Sequence, residues 1–227
     1  MNFSFLPKYL PYFVHGTLAT LIISVLTVIL GSIVGLFVAL LKLSKNKLLK
    51  AIASVYVEII RGTPAMLQIM ICYYGLSNIL PIPELFIGDL DMSRVIPGCI
   101  ALSLNSGAYV AEIIRSGISA VNIGQTEAAY SLGMRPGKTM RYIILPQAVR
   151  NILPALGNEF VTIIKESSVL SVIGIAELLF STDIVKGTTF IAMEPLYVAG
   201  IIYFVLTFTT SRIIAYFEGR MSKGVRK

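Results

Sequence analysis

A chain of 227 residues with 56% hydrophobic and only 14% charged residues falls well below the roughly 25% charge of an ordinary soluble domain, so most of it has no water to face. The net charge of +7 would suit a nucleic-acid binder, but the basic residues gather in three short segments between or after apolar runs, the pattern of cytoplasmic membrane loops. Nucleic acid is therefore excluded as a partner, and the apolar runs predict a single membrane domain over residues 1–227 without an appended soluble domain.

The amino-terminal MNFSFLPKYLPYF lacks the basic start, short apolar stretch and small-residue cleavage site of a removable signal peptide, so the first long span is expected to stay in the mature protein. Val14 to Leu41 carries His15 at its edge and no Asp, Glu, Lys or Arg. At 1.5 Å per residue it reaches roughly 40 Å, enough to cross a bilayer with tilt. Gly31 and Gly35 have the spacing of a close helix contact. His15 has no acidic or cysteine companion at metal-ligand spacing and reads as an interface histidine rather than a metal ligand.

Further spans are predicted at about Ala51 to Leu80, Ser93 to Ala120, Asn151 to Ile175 and Ile191 to Phe217. The expected fold is all-α: a polytopic membrane protein of about five transmembrane helices. In the second span Glu58 and Arg61 could pair on one face, immediately before Gly62, Thr63 and Pro64 break the helical ladder. That break reads as a hinge or cavity-lining kink, or as ordinary packing. Cys72 and Cys99 fall within predicted helices and read as buried free thiols. The connection from Pro81 to Met92, with two prolines, Gly88 and three acids, reads as a turn-rich cap.

Orientation follows from the cationic connections, which are retained on the cytoplasmic side. The first holds Lys42, Lys45, Lys47 and Lys50, the third Arg135, Lys138, Arg141 and Arg150, and the tail Arg220, Lys223, Arg226 and Lys227. The opposite side has only Lys8, Arg94 and Lys186, beside Glu84, Asp89, Asp91, Glu177, Asp183 and Glu194. An odd number of spans, with the amino terminus outside and the carboxyl terminus cytoplasmic, fits this distribution.

The inner connection from Val121 to Arg150 is longer than a membrane hairpin needs and contains EAAYSLGMRPGKTMRYIILP. Thr126 offers a helix start, and Ala128, Ala129 and Leu132 form a small apolar face ended by Gly133, which predicts a short cytoplasmic helix followed by a turn. Small residues permit close approach, so this helix could seat in a partner's groove. The stretch from Gly133 to Thr139 looks like a phosphate-binding loop but fails as one. Three residues separate its glycines where four are needed, and one of them, Pro136, has no amide hydrogen. Any ATPase must be another polypeptide.

The same residues resemble the characteristic loop of the membrane subunits of bacterial ATP-binding-cassette importers: EAA, three residues, G, nine residues, then I, any residue, L and P. The resemblance implies a helix that docks on a cytoplasmic ATPase dimer and transmits its closure, with Glu127, Ala128, Ala129 and Gly133 as coupling residues. The words HGTLATLIIS from His15, YVEIIRGTPAMLQ from Tyr56 and NSGAYVAEIIRSGI from Asn105 are similar to those of the polar amino-acid branch (histidine, glutamine and arginine type). By that resemblance the chain is a permease subunit in a bacterial inner membrane, paired with an identical or similar second subunit and served by an extracytoplasmic binding protein. It performs no covalent chemistry and holds no cofactor, ATP and Mg being bound by the partner ATPase.

A charge at the centre of a membrane helix costs about 2.5 to 3.5 kcal/mol on insertion scales, so each one is expected to face a cavity or a partner. On a 3.6-residue helix Asn158, Thr162 and Lys165 lie at about 0°, 40° and −20°, with Glu159 and Glu166 together near 90°. In the third span Asn105, Tyr109, Glu112 and Ser116 fall on a similar stripe. A zwitterionic amino acid needs an acceptor for its ammonium and a donor for its carboxylate. Asn105, Tyr109, Glu159, Thr162, Lys165 and Glu166 are thus the candidate substrate contacts, and Glu58, Arg61 and Pro64 a candidate hinge or path. An internal salt bridge from Lys165 to a glutamate, fastening the bundle, is the alternative for the fourth span. A secondary transporter or channel for small polar solutes is the alternative for the whole chain, though an odd span count without an internal repeat argues against it.

Overall fold

The computed structural model describes residues 2–79 and 85–222. In chain order they form α1 (Leu6–Leu43), α2 (Lys47–Gly62), α3 (Ala65–Ile79), a minimal antiparallel pair β1 (Phe86–Ile87) and β2 (Leu90–Asp91), then α4 (Met92–Ser119) and α5 (Ile123–Ser131). There follow α6 (Pro136–Thr139), a π-helical turn Met140–Ile144, α7 (Leu145–Glu166), a 3-10 segment Ser167–Ile173, α8 (Leu178–Thr189) and α9 (Glu194–Ser222). Glu84 and the basic tail residues Lys223, Arg226 and Lys227 lie outside the described residues.

α1 shows what a membrane helix does with its sequence. Its buried face is a row of small or hydroxylated residues, Gly16, Thr20, Ser24, Thr27, Gly31 and Gly35, while Ile22, Ile29, Ile33, Phe37 and Leu40 stand exposed. Lipid is as apolar as leucine, so close packing rather than hydrophobic transfer brings such helices together. The buried row seats on α4: a Cβ added at Gly31 would lie 3.0 Å from Ser106 Cβ, and one added at Gly35 would lie 2.5 Å from Val110 Cβ. The seam is reciprocal, because a Cβ on Gly107 of α4 would meet Val34 Cγ1 at 2.6 Å. The predicted close contact of Gly31 and Gly35 is therefore present, with α4 as its partner.

α4 is the central helix, packed against α1, α2, α3 and α7. Asp91 caps it, accepting from the Ser93 amide at 3.0 Å and the Ser93 hydroxyl at 2.6 Å, and forming an ion pair with Arg94 Nε at 3.1 Å. Its first half meets Ile23, Ile69, Leu170 and Ile173 around Leu102, and its second half meets Val38, Ala39, Ala53 and Val57 around Ala108 and Ala111. Cys99 lies in the first of these clusters, Cys72 packs at its edge, and both are free thiols. α7 rests on α4 and α9 through two more glycines: Gly117 takes Ile152, and Gly157 takes Ile214, 2.6 Å from an added Cβ.

The predicted break in the second span is present: it divides into two helices, α2 and α3, bent by 109° at Thr63–Pro64, because Pro64 can neither donate a backbone hydrogen bond nor let the preceding residue stay helical. Three expectations are corrected. The stretch after Ile175, expected as an outer connection, contains α8. Glu177 caps that helix by accepting from Leu179 N at 2.9 Å and Phe180 N at 2.7 Å, and its fully buried carboxylate also accepts from the Tyr203 hydroxyl at 2.8 Å. Leu178, Thr182 and Val185 are buried along one face, so α8 is packed against α1 and α9. The loop helix starts at Ile123 rather than Thr126, because Asn122 caps it by accepting from Gly124 N at 2.8 Å. Finally, Glu58 and Arg61 do not pair, since Arg61 turns toward Tyr109 of α4.

α1 and α9 are each long and apolar enough to cross a membrane, and counting each bent helix pair as one span brings the number to as many as four. α4 falls short of that measure because its buried faces carry Ser103, Asn105 and Ser106.

Candidate substrate path and coupling loop

The end of α2, the second half of α4 and α7 border an open cavity of about 410 Å³, lined by Arg61, Tyr109, Glu112, Ser116, Asn151 and Glu159. The helical stripe read from the third span accounts for Tyr109, Glu112 and Ser116 on one wall. The opposite wall is α7, whose Glu159 accepts from the Ser106 hydroxyl at 2.8 Å. The Arg61 guanidinium stands 5.4 Å from the centre of the Tyr109 ring, a cation–π distance.

The charges around this cavity are of two kinds. Glu112 is neutralised locally: it accepts from the Lys42 ammonium and, through its other oxygen, from Arg115 Nε and Nη2 at 3.0 and 2.9 Å. Arg61 and Glu159, by contrast, form no ion pair among the described residues. A cation and an anion thus face one cavity without cancelling each other. Such a pair can receive a carboxylate at one end of a small solute and an ammonium at the other.

Of the six candidate contacts, the structure brings Tyr109 and Glu159 to this wall. Asn105 is buried behind it, donating from Nδ2 to Gln68 Oε1 at 2.9 Å. Thr162, Lys165 and Glu166 lie farther along α7: Thr162 returns its hydroxyl to the Asn158 carbonyl at 3.1 Å, and Lys165 is exposed. The Lys165 ammonium makes no ion pair among the described residues, so the fastening salt bridge is not formed. Asn158 and Lys165 share the exposed face of α7. Sequence reading missed Ser106 and Gln68; Arg61, expected in a hinge or path, lines the cavity. Gln68 could have been found as the one polar side chain within a turn of Pro64 on the α3 side.

A larger cavity of about 680 Å³ opens at the other end of the bundle, between the start of α1, the β1–β2 turn and α8. Its two basic side chains are already engaged: His15 Nδ1 lies 2.7 Å from Asp89 Oδ2, and Arg94 pairs with Asp91 and donates to the Gly174 carbonyl at 3.3 Å. The acidic companion of His15 lies far off in sequence, where spacing could not reveal it. The hydrogen bonds from Ser93, with the neighbouring Arg94, hold the Asp91 carboxyl below its ordinary pKa despite some burial.

The EAA stretch, the candidate coupling loop, falls where the chain leaves α4. Glu127 and Ala128 are exposed on α5, whereas Ala129 is buried toward the following turns. α5 ends on Gly133 at φ +76°, with Gly133 N donating to Tyr130 O at 2.9 Å and Met134 N to Ala129 O at 3.0 Å. This pair of bonds defines a Schellman motif, which needs a residue free to adopt the left-handed conformation. Pro136 opens α6 instead of a phosphate-binding nest. The π-helical turn then leads into α7, so the stretch from Pro136 to the cavity wall is continuous helix, with α5 set off from it by the turn at Gly133.

Comparison with known proteins assigns the chain. The family model described as "binding-protein-dependent transport system inner membrane component" matches residues 31–223. The putative glutamine transport system permease protein GlnP of Rickettsia felis is 40% identical over 222 residues, covering 96% of this chain and 98% of that protein. The arginine transport system permease protein ArtQ of Bacillus subtilis is 40% identical over 206 residues, covering 91% and 90%. Among solved structures, an amino acid ABC transporter crystallised with histidines superposes with a TM-score of 0.87 at 46% identity, covering 97% of this chain and 100% of the other. With a family match over most of its length and relatives aligned nearly end to end, this chain belongs to the binding-protein-dependent transport system inner membrane components, the permease subunits of ABC importers.

Proposed function

We propose that this permease carries polar amino acids, and that the cavity between α2, α4 and α7 is part of their path. The observation that supports this most directly is the unpaired Arg61 and Glu159 facing one space of about 410 Å³, the charge arrangement a zwitterion requires. The names of the relatives, which transport glutamine and arginine, point to the same class. Farther along α7, Thr162, Lys165 and Glu166 continue the path toward a second permease subunit, identical or similar. Asn105 supports the wall from behind, and Glu58 and Pro64 belong to the broken span.

In this reading the chain is a single membrane domain of five spans: α1, the broken α2–α3 pair, α4, α7 with its 3-10 continuation, and α9. The amino terminus lies outside and the carboxyl terminus in the cytoplasm of a bacterial inner membrane, with α8 packed at the outer end. Glu127, Ala128, Ala129 and Gly133 form the contact with a cytoplasmic ATPase dimer, which binds ATP and Mg and performs the hydrolysis. An extracytoplasmic binding protein delivers the solute, and the cavity opens alternately to the two sides. The chain itself holds no cofactor and makes or breaks no covalent bond. Membership in the importer family leaves the secondary-transporter alternative without support.

The test is ATP hydrolysis by this subunit in liposomes with its ATPase and binding protein, across a panel of all the common amino acids. Stimulation confined to polar or charged amino acids, and lost in Glu127→Ala, is the expected result. Hydrolysis that responds to none of them would refute the substrate class.

A further inference from the structure

A broken helix inside a membrane leaves carbonyls that no water can reach, and each unsatisfied one is costly. At the 109° turn between α2 and α3 two side chains satisfy three of the carbonyls, those of Ile59, Ile60 and Thr63. The Thr63 hydroxyl donates to the Ile59 carbonyl at 2.8 Å. The Gln68 amide nitrogen reaches the Ile60 carbonyl at 2.7 Å, the Thr63 carbonyl at 3.1 Å and the Thr63 hydroxyl oxygen at 2.7 Å. Carbonyls only accept, so the Gln68 atom facing them must be its NH2 group, and its oxygen is left to accept from Asn105 of α4 at 2.9 Å. One side chain therefore rebonds the end of α2, fixes the first turn of α3 and ties both to the central helix.

The residue between two of these anchors is Arg61. It follows Ile60, whose carbonyl Gln68 holds, and its guanidinium covers Tyr109 at the cavity. Gln68 itself does not line that cavity. We propose that Gln68 is a positioning residue for transport: it sets the angle of the break and thereby holds Arg61 where the solute's carboxylate arrives. This rests on reading the Arg61–Glu159 cavity as the substrate path.

Two measurements on the assembled transporter in liposomes test it. Spin labels at Val55→Cys and Ile71→Cys, exposed residues on either side of the break, report its angle in a Cys72→Ser, Cys99→Ser background. Gln68→Met keeps the bulk but removes the donors. It should broaden the distance distribution and raise KM about tenfold for whichever of L-glutamine, L-arginine or L-histidine drives hydrolysis, with kcat changed less than about twofold. Gln68→Leu, which has no hydrogen-bond donor, gives the same readings if the methionine variant does not assemble. An unchanged KM overturns the proposal whether or not the distances move, and a raised KM with unchanged distances overturns it in favour of direct contact. If Arg61→Gln leaves KM unchanged while Gln68→Met broadens the distances, the cavity reading fails and the hinge role of Gln68 stands.

Discussion

α1 and α7 both expose one face to the outside of the subunit, and the two faces are opposite in kind. On α1 the exposed face is built from Ile22, Ile29, Ile33, Phe37 and Leu40. On α7 it carries Asn151, Asn158 and Lys165 among its apolar neighbours. Hydrocarbon accepts the first at no cost and charges several kilocalories for the second. An exposed surface in a membrane subunit thus has two meanings. The α1 face is finished by lipid, whereas the α7 face is unfinished until a water-filled path or another subunit covers it.

The sharpest way to break this comparison is at Lys165. Lys165→Ala should abolish amino-acid uptake into proteoliposomes while co-purification with the ATPase stays intact; a variant that still transports would return α7 to a purely packing role. A middle-sized effect is expected from placing the same charge on the other face. Ile33→Lys should lower membrane insertion of α1 by about 2.5 to 3.5 kcal/mol in a translocon assay, and Asn158→Lys on α7 should leave expression of the assembled complex unchanged. Equal penalties at the two sites would erase the distinction.

The smallest expected effect concerns the amino-terminal end of α4. A carboxyl held below its ordinary pKa releases its proton more readily in the folded chain than in the unfolded one. The cap contributed by Asp91 is therefore complete above the ordinary Asp pKa of about 3.9 and falls away as the pH drops through the lower folded value. Amide exchange at the first turn of α4 should rise in that acidic range, and the rise should disappear in Asp91→Asn.

Sequence patterns that act within one helix were legible. The long apolar run of α1, the helix at Glu127 to Ala129 closed by Gly133, and the break before Pro64 all rest on neighbours a few residues apart. What escaped were contacts between distant helices. Arg61 had Glu58 as its nearest opposite charge along the chain, yet its partner is an aromatic ring 48 positions on. Ser106 meets Glu159, and Asn105 meets Gln68, across gaps that helical angles do not describe. α8 was hidden for a related reason. Glu177, Asp183 and Lys186 resemble loop charges, but the first is buried as a cap and the other two pair with each other at 2.7 Å.

The glycine seams also have an evolutionary consequence. Gly35 against Val110, Gly107 against Val34, and Gly157 against Ile214 each leave too little room for an added carbon. Neither partner can grow unless the other shrinks, so such positions change together or stay as they are. The large apolar residues facing outward from α1 carry no such obligation. Descent should therefore wear this helix in reverse, with its biggest side chains free to drift and its smallest held in place.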